Sequence, residues 1–292
     1  MKFIGRISTS SARYQDDLFN ENAIPPKILN ILSQENTAKN GIVESYIYRC
    51  FAQRFSQMNA GLSYCSNNNF ENFYVSQFLS LFRNELGLKR SIDKIYEIVV
   101  YALFSTLVKA LEITIEINLN NQKLDILEEF EDFTKQLMGL HSNLLSLEFP
   151  AKIYRLGVTN AADKGLDMWA NFGLAIQIKH LSLDEQMAQN IVDSISADRI
   201  IIVCKDSEQK IIVSLLNQIG WKARIQSIIA ESDLVNWYEK ALRGKFSDQL
   251  GTLLIQSIRD EIINEFPSTE PLEFKKFMSL RGYDKLIDKL WT

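Results

Sequence analysis

A carboxylate, an amide and an amine occur at a spacing that could hold a metal ion beside a phosphate. The three side chains belong to Asp167, Gln177 and Lys179. Mg²⁺ prefers oxygen ligands and keeps several waters, so one carboxylate and one or two carbonyl oxygens can hold it. Asp167 could supply the carboxylate, Gln177 its side-chain oxygen and Ile178 its backbone carbonyl. Lys179 could then orient an attacking water and stabilise negative charge as it develops. The chemistry open to this set is metal-assisted phosphodiester hydrolysis.

A predicted β-hairpin would bring these residues together. Asn171-Phe172-Gly173 carries turn chemistry between two apolar runs, and we expect Gly173 to take the positive φ that the turn requires. Side chains alternate faces along a strand, which places Gln177 and Lys179 on the same face. The hairpin can therefore present all three groups to one small volume.

The stretch after the hairpin predicts an α/β arrangement. We expect a helix over residues 183–196, a covered strand over 200–204, a helix over 206–219 and a short strand over 221–225. The order strand, helix, strand, helix, strand implies a right-handed crossover and a mixed sheet flanked by helices.

The chain ahead of the hairpin is largely helical by its apolar spacing. Residues 41–58 and 70–86 have the pattern of amphipathic helices, and residues 91–110 are apolar nearly all round, which predicts a central helix. Residues 113–119 alternate strictly and predict a half-exposed strand. The acidic cluster over residues 125–132 is most simply the solvated face of the next helix.

Composition limits the class of protein. The 292 residues are 46% hydrophobic and 23% charged, which suits a folded protein with a substantial core. We expect a cytosolic protein, since no signal-peptide core follows the first residues and no run approaches the ~20 apolar residues of a membrane span. Three cysteines without Cys-x-x-Cys spacing and only two histidines disfavour a zinc site. The net charge of −4 is mildly against a nucleic-acid partner, although a cleft can be basic on an acidic molecule.

One sequence signature makes the chemistry more specific. Leu166-Asp167, nine intervening residues and then Gln177-Ile178-Lys179 resemble the PD-(D/E)xK signature of restriction-endonuclease-like nucleases. The length, the helical N-terminal half and the lack of a helicase motif are most similar to type II restriction endonucleases of the HaeII kind. Leu166 replaces the signature's proline, and Gln177 replaces its acidic residue, which removes one negative charge from the metal site.

The resemblance implies sequence-specific cleavage of double-stranded DNA with Mg²⁺, for which Mn²⁺ could substitute, and with no nucleotide cofactor. Asp167, Gln177 and the carbonyl of Ile178 would hold the metal, and Lys179 would act on the water. We also expect a homodimer, because cleavage of both strands of a palindrome suits two-fold symmetry.

A further acid from an upstream helix is usual in that family. Glu97 is the first candidate, because an acid in so apolar a run needs a reason, and Glu44 is the second. Trp169 is expected to be a core residue rather than a base-stacking platform. Residues expected to contact DNA lie close to the proposed site in sequence: Lys164, His180, Lys205, Lys222 and Arg224.

The predicted fold is a restriction-endonuclease-like mixed β-sheet flanked by helices. It would have an N-terminal helical region (residues 1–90), a nuclease core (91–230) and a C-terminal helical region (231–292), unless these form one compact domain. Two alternatives stay open at this point. One is a catalytically silent nucleic-acid-binding or protein-interaction module on the same fold, and the other is a helical protein without a nuclease core.

Overall fold

The chain divides into two compact units. The computed structural model describes residues 26–83, 89–156, 166–179, 197–205, 225–265 and 271–286, together with residues 210 and 213. The first unit comprises Met1–Ile98, Gly157–Gly165 and Ile255–Thr292, and the second comprises Val99–Leu156 and Leu166–Leu254. The predicted division at residues 90 and 230 stays a prediction.

Helices make up the described part of the first unit. They are α1 (Pro26–Ala38), α2 (Ile42–Asn67), α3 (Val75–Arg83), the first part of α4 (Lys89–Ala110), the end of α8 (Ser247–Glu265) and α9 (Pro271–Leu280). The prediction that the second helix ends near Met58 is wrong, because α2 continues to Asn67. Its apolar face continues too, since both Met58 and Cys65 are buried.

Close packing between α2 and α3 depends on a small residue. A Cβ added to Gly61 of α2 would lie 2.8 Å from Cζ of Phe82 in α3. Phe82 in turn packs edge-on against Phe78, with ring centroids 5.4 Å apart. Both rings are buried, so glycine lets the backbone of α2 approach an aromatic core.

The apolar helix predicted for residues 91–110 is confirmed. It is α4 (Lys89–Ala110), and its middle is buried on nearly every side. The fully buried residues there are Ile95, Tyr96, Ile98, Val99, Val100, Ala102 and Leu103. Such a helix must lie inside its surroundings, because an amphipathic helix would leave one face in water.

A two-stranded antiparallel sheet stands apart from the main sheet of the second unit. Its strands are β1 (Thr114–Asn118) and β2 (Ser146–Pro150), and two short helices, α5 (Leu124–Glu129) and α6 (Glu131–Leu137), come between them in the chain. The strand predicted for residues 113–119 is confirmed, and its side chains are mostly exposed.

The main sheet has five strands in the order β3-β4-β5-β6-β7. Strands β3 to β5 are antiparallel, and β5 to β7 are parallel, so the mixed sheet predicted for this region is confirmed and the helical alternative is excluded. The strands are β3 (Ile153–Arg155), β4 (Met168–Ala170), β5 (Leu174–Lys179), β6 (Arg199–Cys204) and β7 (Ile225–Ala230).

The last strand of the sheet begins later in the chain than the sequence predicts. The sequence predicts this strand over residues 221–225, whereas β7 begins at Ile225, where the predicted strand ends. The apolar residues that follow Ile225 pair with β6, and Ile228 lies opposite Ile202. The helices predicted over residues 183–196 and 206–219 lie outside the described residues, apart from residues 210 and 213.

The helical C-terminal region is confirmed for α7 (Glu231–Arg243) and for α8 and α9. Helix α7 ends at Gly244, where a Cβ would lie 2.3 Å from the carbonyl oxygen of Lys240, so only glycine fits. Tyr238 anchors α7 by donating its hydroxyl hydrogen to the carbonyl of Val99 at 2.8 Å. No described helix combines the length and apolar character that crossing a membrane would require.

Candidate active site

The strand register places Asp167 opposite Gln177. In the β4–β5 hairpin, Met168 pairs with Ile176, so the residue before Met168 meets the residue after Ile176. Directly opposed residues of an antiparallel pair point to one face, and residues two apart in a strand share it. Asp167, Gln177 and Lys179 therefore lie on the same face of the sheet.

The hairpin turn forms as the sequence predicts. Gly173 has φ 79°, and its N–H donates to the carbonyl of Ala170 at 3.1 Å. A positive φ of this size is strained for a residue with a Cβ, so glycine sets the register that aligns Asp167 with Gln177.

Two hydrogen bonds fix the carboxylate of Asp167 against β5. The amide nitrogen of Gln177 donates to Oδ2 at 2.5 Å, and the backbone N–H of Ile178 donates to the same oxygen at 2.7 Å. Gln177 is only 2% exposed. A buried amide requires polar partners, and Asp167 provides one.

The backbone carbonyl of Ile178 faces the same side as this carboxylate. The N–H and C=O of one strand residue point towards the same neighbouring strand, and the N–H of Ile178 points at Asp167. Three oxygen-bearing groups, on Asp167, Gln177 and Ile178, therefore meet at the end of the hairpin.

Lys179 lies at the carboxyl end of β5, where it is half-buried. It is paired with Cys204, the last residue of β6, and Lys205 follows directly. Two cationic side chains thus belong to the same end of the sheet as Asp167. Positive charge at this position favours an anionic ligand such as a phosphate.

The donor set fits a hard divalent cation that keeps several waters. Among the described residues, no three His, Cys, Asp or Glu side chains are grouped, so one carboxylate and neutral oxygens would have to suffice. The NH₂ group of Gln177 points at Asp167, as expected when two oxygens would otherwise repel each other. A 180° rotation of the amide would present its oxygen beside the carboxylate, which suits a cation there.

Glu97, the first candidate for an additional acid, is buried in the first unit. Its carboxylate lies 2.6 Å from Nζ of Lys94, one turn earlier in α4. An acid in this apolar helix is thus paired with a base, as buried charges generally are. Its role beside Asp167 stays a prediction.

Glu44, the second candidate, is tied into a structural network of the first unit. Its carboxylate accepts hydrogen bonds from the amide of Asn36 and from the hydroxyl of Tyr283, and its backbone N–H donates to Asn36 at 3.0 Å. Burial and the hydrogen bond to Glu44 raise the pKa of Tyr283 to about 12. These contacts join α2 to residues near the C-terminus.

Most residues expected to contact DNA lie outside the described part of the chain. Lys205 is described and half-buried beside the site. The others are Lys164, His180, Lys222 and Arg224, and their roles stay predictions.

An aromatic pair beside the carboxylate was missed by sequence reasoning. The expectation that Trp169 is a core residue is wrong: it is 40% exposed and stacks on Tyr154, which is 38% exposed, with centroids 4.6 Å apart. Tyr154 is directly opposite Trp169 in the β3–β4 register, and Trp169 shares a strand face with Asp167. Met168 and Ala170 on either side of it are buried, so Trp169 points to the other face of β4, and no local sequence signal showed that this face is exposed. The pair presents a flat apolar surface next to the carboxylate.

Comparison with known proteins adds to this geometry. The model of the HaeII restriction endonuclease family matches residues 1–283. The type II restriction enzyme HaeII of Haemophilus aegyptius is 59% identical over 288 residues, which cover 99% of this chain and 82% of the relative. The type II restriction enzyme NgoBI of Neisseria gonorrhoeae is 57% identical over 284 residues, which cover 97% and 80%. No solved structure matches the chain.

A family model that spans nearly the whole chain and two relatives of more than half identity lead to one conclusion. This chain belongs to the HaeII restriction endonuclease family.

Proposed function

We propose that this protein cleaves double-stranded DNA at a specific sequence by Mg²⁺-dependent hydrolysis, with Asp167, Gln177 and Lys179 as its catalytic set, and that it acts as a homodimer. Membership of a restriction endonuclease family makes the chain a site-specific deoxyribonuclease and does not favour a catalytically silent module. The choice of metal, the residues, the dimer and a cytoplasmic location belong to the proposal.

The observation that carries the proposal is the contact between Asp167 and Gln177. A carboxylate held at 2.5 Å by a buried amide is pre-positioned, so little reorganisation is needed on binding. Asp167, Gln177 and the carbonyl of Ile178 would hold Mg²⁺, or Mn²⁺ in its place. When bound, the ion neutralises charge on the phosphate and favours deprotonation of a water.

Lys179 has a separate task in this proposal. Its ammonium group belongs to the same face as the carboxylate and can donate hydrogen bonds to the attacking water and to a phosphate oxygen. Lys205 would neutralise charge on a neighbouring phosphate, together with Lys164, His180, Lys222 and Arg224. Glu97 would be the further acid of the site.

The Lys179→Ala variant tests this assignment. We expect cleavage to fall by at least about 100-fold, the usual cost of losing one donor to developing charge, while specific DNA binding in the absence of Mg²⁺ is largely retained. Cleavage is followed on plasmid DNA, and binding by fluorescence anisotropy of a labelled duplex.

Lys152→Ala is the matched control, since Lys152 is an exposed lysine just ahead of β3 and away from the site. It should cleave as the wild type does. Undiminished cleavage by Lys179→Ala would contradict the role given to Lys179.

A further inference from the structure

The main sheet leaves one aromatic pair exposed. All residues of its five strands are described, and Tyr154 and Trp169 are the only exposed large apolar side chains among them. Their rings are stacked, with planes inclined by 17°. Single apolar side chains are often exposed on proteins, so exposure alone indicates no partner. The position of the pair in the sheet decides whether it has one.

Trp169 lies on the same face as the carboxylate of Asp167 and close to it. The β-ladder continues past the ends of β3 and β4, because the N–H of Leu156 donates to the carbonyl of Asp167 at 2.9 Å. Asp167 thus extends the strand, and side chains two residues apart in a strand share a face. At ~3.3 Å per residue, Asp167 and Trp169 are about 7 Å apart along β4. All of these residues belong to the second unit.

A DNA strand bound at Asp167 comes within reach of the rings. Successive nucleotides of one strand are ~3.4 Å apart along the duplex axis. The ~7 Å between Asp167 and Trp169 therefore corresponds to about two nucleotides. Tyr154 lies opposite Trp169 in β3, on the side of β4 that faces away from Lys179. When a phosphate is bound at Asp167, the neighbouring nucleotides can reach the pair.

The rings suit the sugar of a nucleotide better than its phosphate or its base. Indole and phenol groups carry no positive charge, so they cannot neutralise a phosphate. Side chains that insert between bases project from the protein as wedges. These two rings are held on strands, with one face of each ring against the other. A deoxyribose offers apolar C–H groups at the surface of the duplex, and contacts to it orient the duplex without reading its sequence.

We propose that Trp169 and Tyr154 form a DNA-binding surface that packs against the deoxyriboses next to the scissile phosphate and positions the cleaved strand. The inference rests on the proposed function, since the scissile phosphate is the one bound at Asp167. Trp169 makes the contact, and Tyr154 supports the indole from the edge strand β3. The pair adds apolar contact to the charge that Lys179 and Lys205 supply.

Trp169→Ala tests the contact through DNA binding without a divalent ion. Anisotropy of labelled duplexes should show affinity falling by about 10-fold, since covering one large aromatic side chain contributes at least that much. The fall should be the same for a duplex that the wild type cleaves and for one that it does not. The slope of log affinity against log salt concentration should not change, because no phosphate contact is lost. Trp169→Phe retains a ring and should recover most of the affinity.

Phe133→Ala is the matched control, because Phe133 is another exposed aromatic residue, in α6. It belongs to the segment of residues 111–150, where eight acidic residues stand against two basic ones, so phosphates should avoid it. Phe133→Ala should bind DNA as the wild type does. Wild-type affinity in Trp169→Ala would overturn the proposal. A loss of affinity with a salt slope smaller by about one would also overturn it, because that change indicates a lost phosphate contact.

Acrylamide quenching of tryptophan fluorescence tests the same contact with a conservative variant. The difference in emission between the wild type and Trp169→Phe reports on Trp169. A saturating duplex should remove most of the quenching of this component, because a deoxyribose would cover the exposed indole. Undiminished quenching would overturn the contact, even if Trp169→Ala failed to fold.

Sedimentation velocity distinguishes DNA from a second copy of the chain as the partner of the pair. Trp169→Ala should self-associate as the wild type does, and a loss of self-association would assign the pair to a protein interface and overturn the proposal. Failure of the proposed function gives a different result, namely wild-type cleavage by Lys179→Ala. Loss of cleavage in Lys179→Ala together with full DNA affinity in Trp169→Ala would overturn only the role of the pair.

Discussion

Gln177, which stands where the signature has an acidic residue, is the most informative single residue of the site. In the resembling signature this position is acidic, and here a neutral amide donates to Asp167 at 2.5 Å. One negative charge fewer means weaker attraction for a cation, and also no repulsion between two neighbouring carboxylates when no metal is bound. On the proposed function, the amide would thus give a site that is stable when empty and that would bind a metal more weakly than two carboxylates would.

Gln177→Glu should reverse this balance. Without a divalent ion, we expect the free energy of unfolding to fall by about 1–3 kcal/mol, because an acid replaces a buried hydrogen-bonded amide beside Asp167. Mg²⁺ should restore much of that loss, and cleavage should saturate at lower Mg²⁺ than in the wild type. Thermal unfolding with and without Mg²⁺ measures the first effect, and a Mg²⁺ titration of cleavage the second. Identical Mg²⁺ dependence in both proteins would argue against Gln177 as a ligand.

The two candidate acids of the first unit differ in their partners. Glu44 is bound to Asn36 and Tyr283, whereas the described partner of Glu97 is Lys94 in the same helix. We expect Glu44→Gln to lower the free energy of unfolding by about 1 kcal/mol and to leave the cleavage rate per folded molecule unchanged. Glu97→Gln should lower the cleavage rate itself. Rates measured on folded protein distinguish the two, and the reverse pattern would make Glu44 the catalytic acid.

The residues of the hairpin could be predicted, whereas their surroundings could not. Asp167, Gln177 and Lys179 were found because spacing and strand alternation are local properties. The exposure of Trp169 depends on which strand pairs with β4 and on whether another element covers that face of the sheet. The local sequence pattern predicts neither. A large aromatic residue between two small or apolar ones is usually buried, and here the same pattern leaves Trp169 stacked on Tyr154 at the surface.

Among the elements, the β4–β5 hairpin does most to position the site. Its turn residues set the register, and the register puts Asp167 opposite Gln177. A one-residue slip would turn every side chain of β4 to the other face of the sheet. The geometry of the proposed site therefore depends on a tight turn at the opposite end of the hairpin.

Gly173→Ala tests that dependence. Gly173 has φ 79°, a left-handed conformation in which a Cβ costs about 1–2 kcal/mol. The added Cβ meets nothing closer than 3.6 Å, so backbone strain rather than a clash should dominate. We expect the midpoint of thermal unfolding to fall by several degrees. Unchanged or higher stability would show that the turn does not need its positive φ.

Element boundaries were predicted less well than element types. Strands β3 and β4 have three residues each, too few for a period to define their ends. Helices α5 and α6 show a different problem: the acidic cluster over residues 125–132 was correctly assigned to solvent, but the large apolar residues Ile126, Phe133 and Leu137 of the same helices are exposed as well. An amphipathic pattern predicts that a face is covered, and not whether the cover belongs to the same chain.

At the scale of the whole molecule, charge is divided unevenly along the chain. Residues 111–150 have a net charge of −6 and the remainder of the chain +2, so the overall value of −4 was a poor guide to the partner. A net charge taken over the whole chain hides this uneven distribution, which is why it mildly disfavoured DNA as the partner.

The central claim is that Asp167 holds the metal that cleavage requires, and a Mg²⁺ titration of cleavage by Asp167→Asn tests it most directly. Asp198→Asn is the matched control, since Asp198 is an exposed aspartate at the opposite end of the sheet, just ahead of β6. We expect the wild type and Asp198→Asn to cleave plasmid DNA with the same dependence on Mg²⁺. Asp167→Asn should be slower by at least about 1000-fold at every Mg²⁺ concentration, as loss of several kcal/mol of charge stabilisation implies. Cleavage by Asp167→Asn at the wild-type rate, with the wild-type Mg²⁺ dependence, would contradict the account.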